Sequence, residues 1–249
     1  MPWDSRSSSI CEFGRSIDSG AVPTITISRL FGSGGSDVAA RVAALLGWTL
    51  LDNQLVSEVA ARLGMPVDEV QAREERVPSL TSRLTEALAM STPEVQPVTG
   101  EYTLPATERL IAVTRRVIEE YVAQGPVVIV GRGAQATLAE RADAIHVFCY
   151  APRAALVQRV MAREGLTQVQ AEKRVDEVNA QRAQSVKRFY DRDWRAPENY
   201  HICINTDWLG VEGSAQTIAR AARSVFPAVT PERLTPAYNR RISGDIENA

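Results

Sequence analysis

Ile25-Thr-Ile-Ser-Arg-Leu-Phe-Gly-Ser-Gly-Gly-Ser-Asp-Val-Ala-Ala40 is the stretch whose reading decides the fold. Thr24 to Ser28 alternates β-branched and polar residues and reads as a short buried strand. Gly32, Gly34 and Gly35 permit a tight turn. Ser36 and Asp37 suit the N-cap or first turn of a helix running to about Leu46. Strand, glycine loop and helix together aim backbone N–H groups and a helix dipole at one anion. On that physics Gly32, Ser33, Gly34, Gly35, Ser36 and Asp37 form a phosphate cradle, with the Ser36 hydroxyl available to Mg²⁺. The regular expression G-x-x-x-x-G-K-[ST] is not met: Gly35 stands at the lysine and Arg29 at the leading glycine. The alternative is an ordinary strand-to-helix turn, although three glycines in four residues exceed what such a turn requires.

Outward from this stretch the chain alternates strand and helix. Trp48 to Asp52 is extended; Val56, Val59, Ala60 and Leu63 recur at helical spacing before Gly64, and Pro66 opens a further helix to about Arg76. Residues 77–104 resist assignment and suit either a mobile cover or an insertion. Glu108 to Gln124 is amphipathic, with Leu110, Val113, Val117 and Tyr121 on one face. Val127 to Val130 reads as a strand buried on both faces, followed at once by Gly131-Arg-Gly-Ala. Ala144 to Tyr150 is the next strand, and Pro152 opens a helix through Arg163. Thr167 and Gln170 form a capping box for a long helix reaching Trp194. Tyr200 to Asn205 is the last strand and Val211 to Val225 the closing helix.

This order predicts a parallel five-stranded sheet with helices on both faces, in which ligands bind beyond the carboxyl ends of the strands. The glycine loop, Asp52 and Arg132 all fall at such ends and should converge. Phosphoryl transfer needs positioned phosphates, a metal and cations more than covalent chemistry from the protein. Arg132, on a glycine-flanked turn, can fork onto a second phosphate or face solvent. Asp52 can hold an acceptor sugar or base, or cap the following helix. The arginines of the second half, Arg159 and Arg163 among them, are the source of a basic lid. Asp207 suits an Asx turn or the border of a base site, and His146 and His201 read as structural.

Four motifs in order carry a resemblance over about Thr24 to Val225. They are Ile-Thr-Ile-Ser-Arg-x-Phe-Gly-Ser-Gly-Gly (25–35), Val-Ile-Val-Gly-Arg-Gly-Ala (128–134), Arg-Phe-Tyr-x-x-x-Trp (188–194) and Asn-Tyr-His-Ile-Cys-Ile-Asn-Thr (199–206). The chain resembles the cytidylate kinase-like family of P-loop nucleoside monophosphate kinases. The resemblance implies a P-loop NTPase three-layer α/β fold, with a five-stranded parallel sheet, a nucleoside-monophosphate-binding insertion and an arginine-bearing lid. It also implies transfer of the γ-phosphoryl group of ATP, with Mg²⁺, to CMP, dCMP or a related acceptor. Gly32 to Ser36 match the phosphate loop and Arg132 the acceptor-holding arginine, while Arg182 and Arg188 fall in the lid region. Without the lysine, Arg29 is the nearest cation in sequence and the lid arginines are the others. A nucleotide-binding regulatory protein that has lost turnover is the alternative function, and a non-nucleotide small-molecule kinase is a third.

Composition narrows the setting. A net charge of −2 argues against bulk nucleic-acid binding. Cys11, Cys149 and Cys203 are not spaced as metal ligands and suit a reducing compartment. No run approaches the roughly 18 apolar residues of a membrane span, and no apolar leader segment is visible, so a cytoplasmic protein is expected. Residues 1–22 and 227–249 read as tails flanking one domain, 23–226.

Overall fold

The computed structural model describes residues 22–70 and 106–226. The expectations for 77–104, for most of 1–22 and for 227–249 lie outside the described residues.

Five strands form one parallel sheet: β1 (Thr24–Arg29), β2 (Thr49–Leu51), β3 (Val127–Val130), β4 (Ala144–Tyr150) and β5 (Ile202–Asn205), in the order β2-β3-β1-β4-β5. β1 is central. Its register sets Ile27 beside Val130 and Arg29 beside Cys149, so the loops leaving β1, β3 and β4 open at one edge.

Each strand's alternation assigns its two faces to different partners. Ile25 and Ile27, with Val128, Val130, Ile145 and Val147, pack under α1 (Gly35–Leu46) and the last helix, α7 (Thr206–Val225). On the opposite face Leu51, Val127 and Ile129 meet α2 (Asn53–Leu63) and α3 (Ala106–Gln124). A short helix, α4 (Ala134–Thr137), follows β3. The pair α5 (Arg153–Glu164) and α6 (Gln168–Tyr190) has its own apolar seam, Leu156, Val157, Val160, Ala171 and Val175, against which Leu30 and Phe31 pack. Among the described residues no helix is long and apolar enough to cross a membrane.

The N-cap of α1 is Gly34, in left-handed conformation, and Ser36 and Asp37 take the first-turn places expected of them. Two helix boundaries differ from the sequence expectation, one for a tertiary and one for a local reason. The capping box at Thr167 forms as expected, but α6 stops at Tyr190, four residues before Trp194. Asp191 turns left-handed and its N–H bonds the Lys187 carbonyl. Trp194 leaves the helix to meet Phe148 edge-on at 5.6 Å in a buried cluster with Tyr200. Finally, α7 begins at Thr206 instead of Val211, because the Asn205 side chain accepts from the N–H groups of Asp207 and Trp208. Gly210 then interrupts helical geometry.

The polar face of β1 is as buried as its apolar face. Thr26 Oγ1 shares a 2.7 Å hydrogen bond with His146 Nδ1, and His201 stacks on His146 at 5.1 Å. Both histidines are packing elements, as the sequence suggests. Burial, then the neighbouring His201, pushes His146 down from 6.5 to about 4. The unfolded chain therefore binds a proton that the folded chain excludes. Stability is full above about pH 6.5 and falls as the pH drops toward about 4, by about 3 kcal/mol. Urea denaturation at the two ends of that window should show the fall, and His146→Asn should reduce it.

Candidate functional site

The loop from Leu30 to Gly34 is fixed from outside by three helices. Asn179, buried on α6, accepts from the Phe31 N–H at 2.8 Å. Gly32 lies so close to α5 that a Cβ would come within 2.7 Å of the Leu156 carbonyl oxygen. The Ser33 carbonyl accepts from Thr206 Oγ1 at 2.6 Å and from Arg159 at 3.4 Å. With these groups engaged, the N–H groups of the first turn of α1 remain directed outward, since a helix provides them no acceptor. Ser33 Oγ is buried and has no hydrogen-bond partner among the described residues. Outward-directed N–H donors at the start of a helix are suited to an oxygen-rich anion.

Arg29 closes the inner side of this loop. A Cβ at Gly35 would lie 2.5 Å from Arg29 Cβ and 3.0 Å from its Cγ, with Cys149 Cβ at 3.2 Å. A Cβ at Gly131 would collide with Arg29 Nη1. The arginine therefore runs from the end of β1 across the start of α1 to the turn after β3. Its packed surroundings lower its pKa, an effect opposed by the charge of Asp52. Arg132, left-handed at φ 56° between Gly131 and Gly133, is pushed down to about 10 by burial and then by Arg29, with Asp52 opposing. Arg29, Arg132 and Asp52, far apart in sequence, thus share one electrostatic site. Asp52 stands at the N-cap of α2 but makes no capping hydrogen bond with its side chain.

The lid arginines divide into two groups. Arg163, Arg174 and Arg182 lie over the Phe31 ring at 5.0, 5.4 and 5.7 Å. Arg182 also donates to the Arg29 carbonyl at 2.8 Å. Arg159 pairs with Asp207 at 2.9 Å, which places Asp207 beside the loop. Arg188 is not in this group. Six residues beyond Arg182, it points to another face of α6 and lines a cavity of about 510 Å³ with Arg115, Thr137, Tyr190 and Arg192. That cavity adjoins the Arg132 turn, because Tyr190 occupies the space a Cβ on Gly133 would need.

Among the described residues no three His, Cys, Asp or Glu side chains cluster to hold a metal. Mg²⁺ arriving with phosphates retains waters and needs one or two protein oxygens. The half-buried Ser36 and the exposed Asp37 at the start of α1 fit that limited demand. Sequence reasoning singled out Arg159 as a lid arginine and Thr206 as the end of a motif, but not their part in fixing the loop, and it missed Asn179 altogether.

The sequence pattern of the cytidylate kinase-like family matches residues 24–208. The chain belongs to that family. No curated protein matches it. Among solved structures, an uncharacterized protein from Eubacterium ventriosum shares 20% identity over 81% of this chain and 99% of its own, with a TM-score of 0.59. Shikimate kinase from Acinetobacter baumannii, solved in complex with shikimate, shares 17% identity over 87% and 97% of the two chains, at a TM-score of 0.45. A gluconokinase from Sinorhizobium meliloti shares 16% over 82% and 95%, at 0.41. The cytidylate kinase-like chain thus has the five-stranded parallel α/β architecture expected of it, and its family supports a phosphotransferase.

Because the loop of this family member has no room beside Arg29, Gly35→Ala is expected to destabilise it by about 1–3 kcal/mol through overpacking. The same substitution at the half-buried but uncrowded Gly213 of α7, where the nearest atom to a Cβ is 3.6 Å away, should not lower stability. Parallel urea titrations of the two variants provide the check.

Proposed function

We propose that the chain is an ATP- and Mg²⁺-dependent nucleoside monophosphate kinase, with CMP or dCMP as acceptor. The single observation that carries this reading is the approach of the Arg132 turn to the glycine loop, with Arg29 spanning them. Two anion-seeking groups at adjacent strand ends suit two phosphorylated substrates. In this assignment Gly32 to Ser36 hold the donor phosphates, with Asp37 at the edge and Ser36 on the metal. Arg159, Arg163, Arg174 and Arg182 supply donor-side charge. Arg132 holds the acceptor phosphate, Asp52 faces the acceptor, and Arg188 is assigned to the acceptor side through its cavity.

The chemistry suits the donor set. An acceptor phosphate attacks through an oxygen that is already ionised near neutral pH. The new bond forms between that oxygen and the γ-phosphorus, and the bond from γ-phosphorus to the ADP oxygen breaks. No general base is required, so positioning and charge neutralisation are the protein's tasks. Bound Mg²⁺ would neutralise charge on the donor phosphates. We assign the kinase domain to 23–226 with tails on either side, and a cytoplasmic setting consistent with free thiols at Cys149 and Cys203.

Two outcomes should be measured together. ADP release with a panel of nucleoside monophosphates should be highest with CMP or dCMP; release with none of them by folded protein overturns the reading. Arg132→Ala should raise the acceptor KM by about tenfold to a hundredfold, the loss of charge-assisted hydrogen bonds, while changing the ATP KM little. Gly35 favours one other reading, a nucleotide-binding regulator without turnover. Calorimetric ATP binding with no ADP formed under any acceptor would select it.

A further inference from the structure

A cation rooted at position 29 and one rooted at position 35 compete for one volume. The two Cβ atoms would stand 2.5 Å apart, well inside contact distance, and a longer side chain at 35 would also meet Arg29 Cγ. Only one of the positions can bear a side chain of any length. In G-x-x-x-x-G-K-[ST] the seventh position bears it and the first is glycine. In this chain the first position bears it and the seventh is glycine.

We propose that the loop cation has exchanged ends: Arg29 meets the terminal phosphates of bound ATP in place of the motif's lysine, and Gly35 is glycine to admit it. This rests on the phosphate reading of the loop given above, and deepens it. Three further observations support the exchange. Gly131 is the second glycine crossed by the same side chain, so the guanidinium extends past the loop to the acceptor turn. The Arg29 carbonyl accepts from Arg182, which ties the root of the side chain to the lid helix. Arg29 and Arg132 also repel each other, and an anion between them relieves that repulsion.

An arginine in this place differs chemically from a lysine. Its planar fork presents several fixed donors and can bind oxygens of two groups at once. From the end of β1 it can engage donor phosphate on one side and the acceptor turn on the other.

The test is equilibrium binding of ATP and of AMP, by calorimetry, to four proteins: wild type, Arg29→Gly, Gly35→Lys and the double variant. Thermal melts establish that each is folded. Wild type should bind ATP more tightly than AMP. Arg29→Gly should lose at least tenfold in ATP affinity and about twofold or less in AMP affinity. Gly35→Lys alone should melt lower and lose ATP affinity, since its stem collides with Arg29. The double variant restores G-x-x-x-x-G-K-S and should regain most of the ATP affinity. Arg29→Gln, which keeps most of the packing stem and removes the charge, serves if Arg29→Gly does not fold, and should show the same ATP loss. Unchanged ATP affinity in folded Arg29→Gly or Arg29→Gln overturns the exchange, as does a folded double variant no better than Arg29→Gly. Wild type binding neither nucleotide overturns the phosphate reading itself, and the exchange with it.

Discussion

The carbonyl and amide groups of residues 30–34 must be engaged by the rest of the protein if the loop is to present its remaining donors to an anion. A free glycine-rich loop would sample many conformations, and fixing each residue costs about 1–2 kcal/mol of backbone entropy. Here α5, α6 and α7 meet that cost with specific contacts. Asn179 accepts from Phe31, the Leu156 carbonyl crowds Gly32, and Thr206 and Arg159 donate to the Ser33 carbonyl. These partners come from residues more than a hundred positions away. The site therefore exists only when the whole α/β unit has folded.

Arg29 adds a second constraint, which links three positions that look unrelated in sequence. Its side chain needs glycine at 35 and at 131, and its electrostatic partners are Asp52 and Arg132. Burial of a guanidinium is tolerable only with compensation, because desolvation of a charge is expensive. Asp52 supplies part of it. This gives Asp52 a reason to stand at the start of α2 without bonding to the helix that it precedes. The local preference of an aspartate for capping yields to a charge interaction across the strand ends.

The sheet was legible because each strand announces itself locally. Val127 to Val130 is β-branched throughout, and the alternation of Thr24 to Ser28 needs no tertiary information. The convergence of the glycine loop, Asp52 and Arg132 followed from parallel topology alone. Helix ends were less legible where distant side chains decided them. Trp194 could continue α6 as far as local sequence is concerned, and only Phe148 and Tyr200 draw it away. Arg182 and Arg188, which the resemblance places together in the lid region, have different surroundings. Both lie on one helix, but six residues at 3.6 per turn place them on different sides of it. One meets the loop and the other a cavity bounded by α3 and α4. Gly35 was read as a missing lysine because a motif describes residue types in order. It does not describe the volume that another residue already fills.

That volume also bears on how the lid arginines are held. Arg163, Arg174 and Arg182 converge on a single ring, Phe31, at distances of 5.0–5.7 Å. Three cations beside one another repel, and each ring contact contributes only about 0.5–1 kcal/mol at a partly exposed site. A hydrogen bond to a charged group contributes about 1.5–3 kcal/mol. An anion at the loop would offset the repulsion among these guanidinium groups. Glu164 already offsets part of it, since it pairs with Arg163 at 3.0 Å and with Arg174 at 3.8 Å. Phe31 belongs to the loop, so its ring keeps the three arginines beside the loop while the carboxylate balances their charge from the other side.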